Sequence, residues 1–172
     1  MRRLIMIGYL MVLVVTLAGC GGGGGGQTPI SLRDTIQGYY NAYAAAVAKE
    51  DVDEVMSFYS RNFYSELDQS TYDDMRSHFA SILNPNDNIK YRLVYNVNSA
   101  YQEGDKLIDV FGQGTLTIYV DGVPQNGGGD FHWSWCYENG WKIYRYYVVG
   151  QRGAMPRGAS EKLMHLLEVL GL

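Results

Sequence analysis

The sequence predicts an α+β fold, in which three helices are followed by a long antiparallel sheet and then by one amphipathic helix. Two observations predict it. Apolar residues recur at three- and four-residue steps as far as Leu83 and at two-residue steps from Ile89 onward, so the hydrophobic period switches once from helical to strand-like. Turn signals at Gly104-Asp105, Asp121-Gly122 and Asn139-Gly140 then punctuate the second half.

Ser31 or Asp34 can cap the first helix, in which Ile36, Tyr39, Tyr40, Tyr43 and Val47 share one face, and Lys49-Glu50-Asp51 interrupts it. A second, short helix places Val52, Val55, Met56 and Tyr59 on one stripe, and Asn62-Phe63-Tyr64-Ser65 can follow as a short strand. Ser70 and Asp73 have capping-box-like spacing for a third helix, with Tyr72, Met75, Phe79, Ile82 and Leu83 as its apolar face. Asn84-Pro85-Asn86-Asp87 stops that helix.

Tyr91, Leu93, Tyr95 and Val97 alternate with Arg92, Asn96 and Asn98, as expected of a half-buried antiparallel strand. With Gly104-Asp105 as a two-residue turn, Leu93 faces Leu116, Tyr91 faces Ile118 and Tyr101 faces Ile108. Gly112 and Gly114 then fall on the apolar face opposite Val97 and Tyr95, where missing side chains allow a sharp bend or leave room for a ligand. Asn139-Gly140 predicts a second hairpin, with Gly127-Gly128-Gly129 in the connection before it. One face of that hairpin carries Phe131, Trp133, Trp135 and Tyr137 with Tyr144, Tyr146 and Val148. The other carries His132, Ser134 and Cys136 with Ile143, Arg145 and Tyr147.

The start of the 172-residue chain has a different logic. Arg2 and Arg3 precede an apolar run of about 16 residues, short of the ~20 that cross a ~30 Å hydrocarbon core. Leu17-Ala18-Gly19-Cys20 then resembles the lipobox of a bacterial lipoprotein signal peptide. The resemblance implies removal of residues 1–19, lipidation of Cys20 and a permanent membrane tether, since each buried methylene contributes ~0.8 kcal/mol. It places the domain outside the cytoplasm, on the outer membrane facing the periplasm if the organism has one. The glycine run that follows, within residues 20–30, reads as a flexible spacer.

Loss of residues 1–19 leaves 153, enough for one domain with a real core, and takes the formal charge from −4 to −6. Without a Lys/Arg cluster, that balance argues against nucleic acid as a partner. With Cys20 lipidated, Cys136 has no intramolecular partner and reads as a buried structural cysteine.

The run from Tyr39 to Tyr59, with Ala, Asp and Val at family-like steps, and the strand Gly140-Trp141-Lys142-Ile143 resemble the nuclear transport factor 2-like, or SnoaL-like, superfamily over residues 31–149. The resemblance implies a cystatin-like cone, with a strongly curved sheet wrapped around the helices to leave a pocket. Candidate pocket residues are Tyr40, Tyr43, Phe79, Tyr95, Gly112, Gly114, Trp133, Trp135 and Tyr144. Family members include enzymes, ligand binders and dimerisation modules, so the fold does not fix the function.

Chemistry is sparse. His132 and Cys136 are ~13 Å apart along a strand, too far for a dyad. Asp74 and His78 are one helical turn apart and read as a solvated surface pair. His132, Arg145 and Tyr147 form a polar cluster suited to an anion, expected on an outer sheet face if the aromatic face points inward. His78, His132 and His165 lack metal-ligand spacing, and no catalytic residue, metal or cofactor is assigned. Residues 150–172 form a linker and a helix whose stripe of Leu163, Leu166, Leu167 and Leu170 is expected to pack on protein. The resulting expectation is an envelope lipoprotein that binds a small apolar or aromatic ligand, or a protein partner, without catalysis. An isomerase, dehydratase or hydrolase using the same cone is one alternative, and a homodimerisation module is another.

Overall fold

The computed structural model describes residues 31–147, 149 and 161–172; the signal, tether and linker readings, and Val148, lie outside the described residues. The chain forms α1 (Leu32–Lys49), α2 (Val52–Met56), β1 (Tyr59–Ser65), α3 (Tyr72–Ile82), β2 (Ile89–Glu103), β3 (Leu107–Val120), β4 (Val123–Tyr137), β5 (Trp141–Tyr146) and α4 (Glu161–Val169). The five strands make one sheet in the order β1-β5-β4-β3-β2, antiparallel except for the β1–β5 pair. It is the α+β architecture expected, with helices on the concave side of a curved sheet.

Ser31 caps α1 through its hydroxyl, which accepts the Asp34 N–H at 3.1 Å. Glu50 ends the helix in the left-handed region at φ 61°, and Lys90 of β2 reaches its carboxylate at 3.0 Å. The cap of α3 lies one residue beyond the Ser70/Asp73 expectation: the Asp74 carboxylate accepts both the Thr71 N–H, at 2.9 Å, and the Thr71 hydroxyl, at 2.6 Å. Tyr59 is not on the α2 stripe. It opens β1, which starts three residues earlier than expected because Ser57 already closes the short helix.

The β2–β3 register is as expected from Ile89 to Val97, with Leu93 opposite Leu116 and Tyr95 opposite Gly114. A bulge at Asn98 then shifts it by one, so Tyr101 pairs with Asp109 rather than Ile108 and the loop is three residues, 104–106. Asp121-Gly122 is a two-residue turn with both φ positive, at 50° and 80°, joining β3 directly to β4. Gly127-Gly128-Gly129 therefore belongs to β4 and not to a connection. A second bulge, at Tyr144, puts Ile143 beside Trp135 on the concave face and moves Tyr144 off it.

β2 is an edge strand, and α1 is bonded to its free side. Gln37 donates to Tyr95 O and accepts from Val97 N, both at 2.8 Å, and Arg33 Nε donates to Val97 O at 2.7 Å. Helix α4 buries Leu163, Leu166, Leu167, Val169 and Leu170 against the domain, as its apolar stripe predicted. Lys162 anchors it to Asp87 at 2.9 Å.

Candidate functional site

Alternation along β2, β3 and β4 sends one set of rings to the concave face, and α1 brings its own to meet them. Tyr40, Tyr43, Phe79, Tyr95, Trp133 and Trp135 come together there, all with at most 2% of their surface exposed. Tyr40 alone lies within about 5 Å, centroid to centroid, of Tyr95, Phe131, Trp133 and Trp135. These residues pack on one another as a core, and each well-placed ring pair is worth ~0.5–1.5 kcal/mol.

Glycine positions did not leave open space. A Cβ at Gly112 would overlap Phe131 and the Asn96 carbonyl, and one at Gly114 would overlap Leu172. Gly127 and Leu167 stand in the same relation. The room freed by the missing side chains on β3 and β4 is thus filled by a ring of the sheet and by α4 with Leu172. Tyr144, on its bulge, is half-buried and faces Arg145 at 5.7 Å instead of the cone.

A line of phenols runs through this core. Tyr43 and Tyr59 share a hydrogen bond at 2.8 Å, Tyr59 and Tyr146 share a shorter one, and Trp135 Nε1 donates to the Tyr40 hydroxyl at 3.1 Å. Burial pushes the pKa of Tyr40, Tyr43, Tyr59, Tyr95 and Tyr146 upward, because a phenolate there would lose its hydration. The Tyr95 hydroxyl and Trp133 Nε1 are buried with no hydrogen-bond partner. Sequence reasoning missed Tyr59 and Tyr146 as parts of this site. Tyr59 was assigned to a helix, and nothing in spacing alone brings residues 87 apart to one oxygen.

His132, Arg145 and Tyr147 do meet, and on the opposite face of the sheet. The His132 ring is sandwiched between Phe111 at 4.0 Å and Tyr147 at 4.1 Å. Its Nε2 lies 3.8 Å from Asp109, a residue not singled out from sequence because β3 had not been paired with β4. Ser134 donates to the Asp109 carboxylate, and the Tyr147 hydroxyl is 2.9 Å from the Ser134 hydroxyl. Burial lowers the His132 pKa, outweighing the pull of Asp109 toward the imidazolium. Arg145 is shared between Glu66, at 3.7 Å, and the Tyr147 ring. Glu66 stands beside Arg145, and Asp109 beside a ring held toward its neutral form, so the cluster's cation already faces a carboxylate.

Asp74 is taken by Thr71, and His78 instead packs on His165 of α4, ring centroids 5.3 Å apart. Burial and Glu138 push the Cys136 thiol up to about 11, so it is not an activated nucleophile. Among the described residues no three His, Cys, Asp or Glu side chains are grouped to hold a metal.

No family model matches the sequence, and no curated protein matches it. Solved structures do. A protein provisionally assigned as an aromatic ring hydroxylase from Novosphingobium aromaticivorans aligns with a TM-score of 0.60 at 22% identity, over 76% of this chain and 94% of that one. A nuclear transport factor 2-like protein from Salmonella enterica gives 0.53 at 15% identity, covering 71% and 94%. A ketosteroid isomerase-like protein from Erwinia carotovora gives 0.51 at 15% identity, covering 66% and 92%. These likenesses, all below 25% identity, are likenesses of fold, and the chain has the nuclear transport factor 2-like fold.

Proposed function

We propose that this is an envelope lipoprotein, tethered through Cys20, whose domain binds a small apolar or aromatic molecule on its concave face without transforming it. One observation carries the reading: a large buried aromatic surface holds two donors, the Tyr95 hydroxyl and Trp133 Nε1, that have no acceptor among the described residues. Polar atoms of a native core are nearly always paired, so two unpaired donors on one face favour a ligand that carries an acceptor.

Binding is favoured over catalysis by the chemistry of the same face. The polar groups of its aromatic cluster are phenols and indoles, and the phenols are held protonated far above neutral pH. Proton transfer near pH 7 needs a group that titrates there. A second reading, pairing of two copies through the outer sheet face, is favoured by the exposure of Val94, Tyr101 and Phe111 there, at 39%, 63% and 38%.

Native mass spectrometry of the lipid-free domain, residues 27–172, purified gently from its own host, tests both. Excess mass lost on denaturation supports the binder. A clean mass at twice the monomer supports pairing and removes the ligand.

A further inference from the structure

Helix α4 occupies the place where a ligand of the proposed kind would lie. On the concave side of β3 and β4, Gly114 and Gly127 floor a trough, and the side chains of Leu172 and Leu167 sit where Cβ atoms would otherwise stand. The Trp133 indole nitrogen lies beside the end of α4: a Cβ on Gly171 would lie 3.1 Å from Nε1, yet that nitrogen has no acceptor among the described residues. The helix thus satisfies the trough's shape and leaves its hydrogen-bonding unsatisfied. Outside the apolar stripe, Lys162 ties it to Asp87 at 2.9 Å and lies over the Tyr91 ring, and His165 packs against His78.

We propose that α4 is a stand-in for the ligand, and that the trough under it takes an aliphatic chain bearing a neutral carbonyl, which enters when α4 leaves. This rests on the binding reading above and adds what controls it. Leucine side chains now fill the trough, so a chain of similar width replaces them. The carbonyl supplies the acceptor that Trp133 Nε1, beside the end of α4, lacks. It is neutral because, among the described residues, no cation is buried on this face to compensate a carboxylate.

The test uses the full chain and two readouts: hydrogen exchange of the α4 amides, and fluorescence of N-phenyl-1-naphthylamine, which brightens on entering an apolar site. Leu167→Asp sets a carboxylate against the Gly127 floor and is expected to speed α4 exchange by about 100-fold. Probe fluorescence should then rise several-fold over the wild type, and glycerol monolaurate should displace the probe where laurate does not. Lys162→Ala keeps the core intact and removes only the anchor, so it should move both readouts the same way by about fivefold. Gly127→Leu should free α4 equally while filling the trough, leaving the probe dark.

If wild-type protein carrying glycerol monolaurate keeps α4 as protected as the free protein, α4 is not a plug, while the binding reading stands. If Leu167→Asp or Lys162→Ala frees α4 and neither probe nor monolaurate binds, the trough is no ligand site and both readings fall. Unchanged exchange in both variants makes α4 a permanent part of the core.

Discussion

The phenol oxygens of Tyr43 and Tyr59 stand 2.8 Å apart at the centre of the domain, joining a helix to the first strand, and Tyr59 passes the bond on to Tyr146 of β5. Helix α1 and strands β1 and β5 are thus fastened at one oxygen.

Tyr59→Phe removes the middle of that chain and leaves two buried hydroxyls short of a partner, so it is expected to cost ~2 kcal/mol. Tyr39→Phe, at a half-buried ring on the same helix as Tyr43, should cost under ~0.5 kcal/mol. Urea denaturation of the two variants checks this. Equal midpoints would mean the phenol line adds nothing to stability.

Alkaline pH should unfold the protein cooperatively. Tyr40, Tyr43, Tyr59, Tyr95 and Tyr146, all buried, have pKa values raised above the ordinary ~10 of a phenol. A raised folded value gives stability that is complete below ~10 and lost as the pH climbs toward the folded values. Tyrosinate absorbance and near-UV circular dichroism should therefore change together above pH ~10. Stepwise titration of every tyrosine with the dichroism intact would contradict the packing described.

His132 works in the other direction. Its pKa is lowered by burial between Phe111 and Tyr147, so its contribution is present above the unfolded value of ~6.5 and is lost as the pH falls through the folded one. His132→Phe preserves the stack and cannot charge. Its urea midpoint should fall less than that of the wild type between pH 7 and 5; parallel curves would show that His132 is not the group responsible.

At Gly112 the β2 backbone and the Phe131 ring approach so closely that any Cβ must displace one of them. Gly112→Ala is expected to cost ~1–3 kcal/mol, and adding Phe131→Leu should recover part of it, a coupling that a double-mutant cycle measures.

Cys20→Ala tests the proposed lipid attachment. Wild-type protein should take up labelled palmitate in growing cells and the variant should not. Equal labelling of the two would remove Cys20 as the lipid site.

Ile36, Tyr40, Tyr43, Met75 and Phe79 were legible as core because helical spacing alone decides which side chains share a face. Tyr91 to Val97 and their partners were legible for the same reason at period two. Tyr101, Ile143 and Tyr144 were misplaced because one extra residue, at Asn98 or within β5, reverses every facing beyond it, and a bulge leaves no mark in the alternation until the partner strand is known. The glycine run of β4 read as a connection since glycine is usually found in turns. Its reason for being in a strand, the Leu167 side chain above Gly127, lies 40 positions away. The His132 cluster was found from one hairpin, but Asp109 came from a third strand and stayed hidden.

The amide of Gln37 bonds the Tyr95 carbonyl and the Val97 N–H as a neighbouring strand would. A sheet whose last strand ends in open donors and acceptors invites another chain to continue it. By spending a helix side chain to imitate one residue of a sixth strand, the domain denies that growth point to its neighbours and keeps itself from templating fibres.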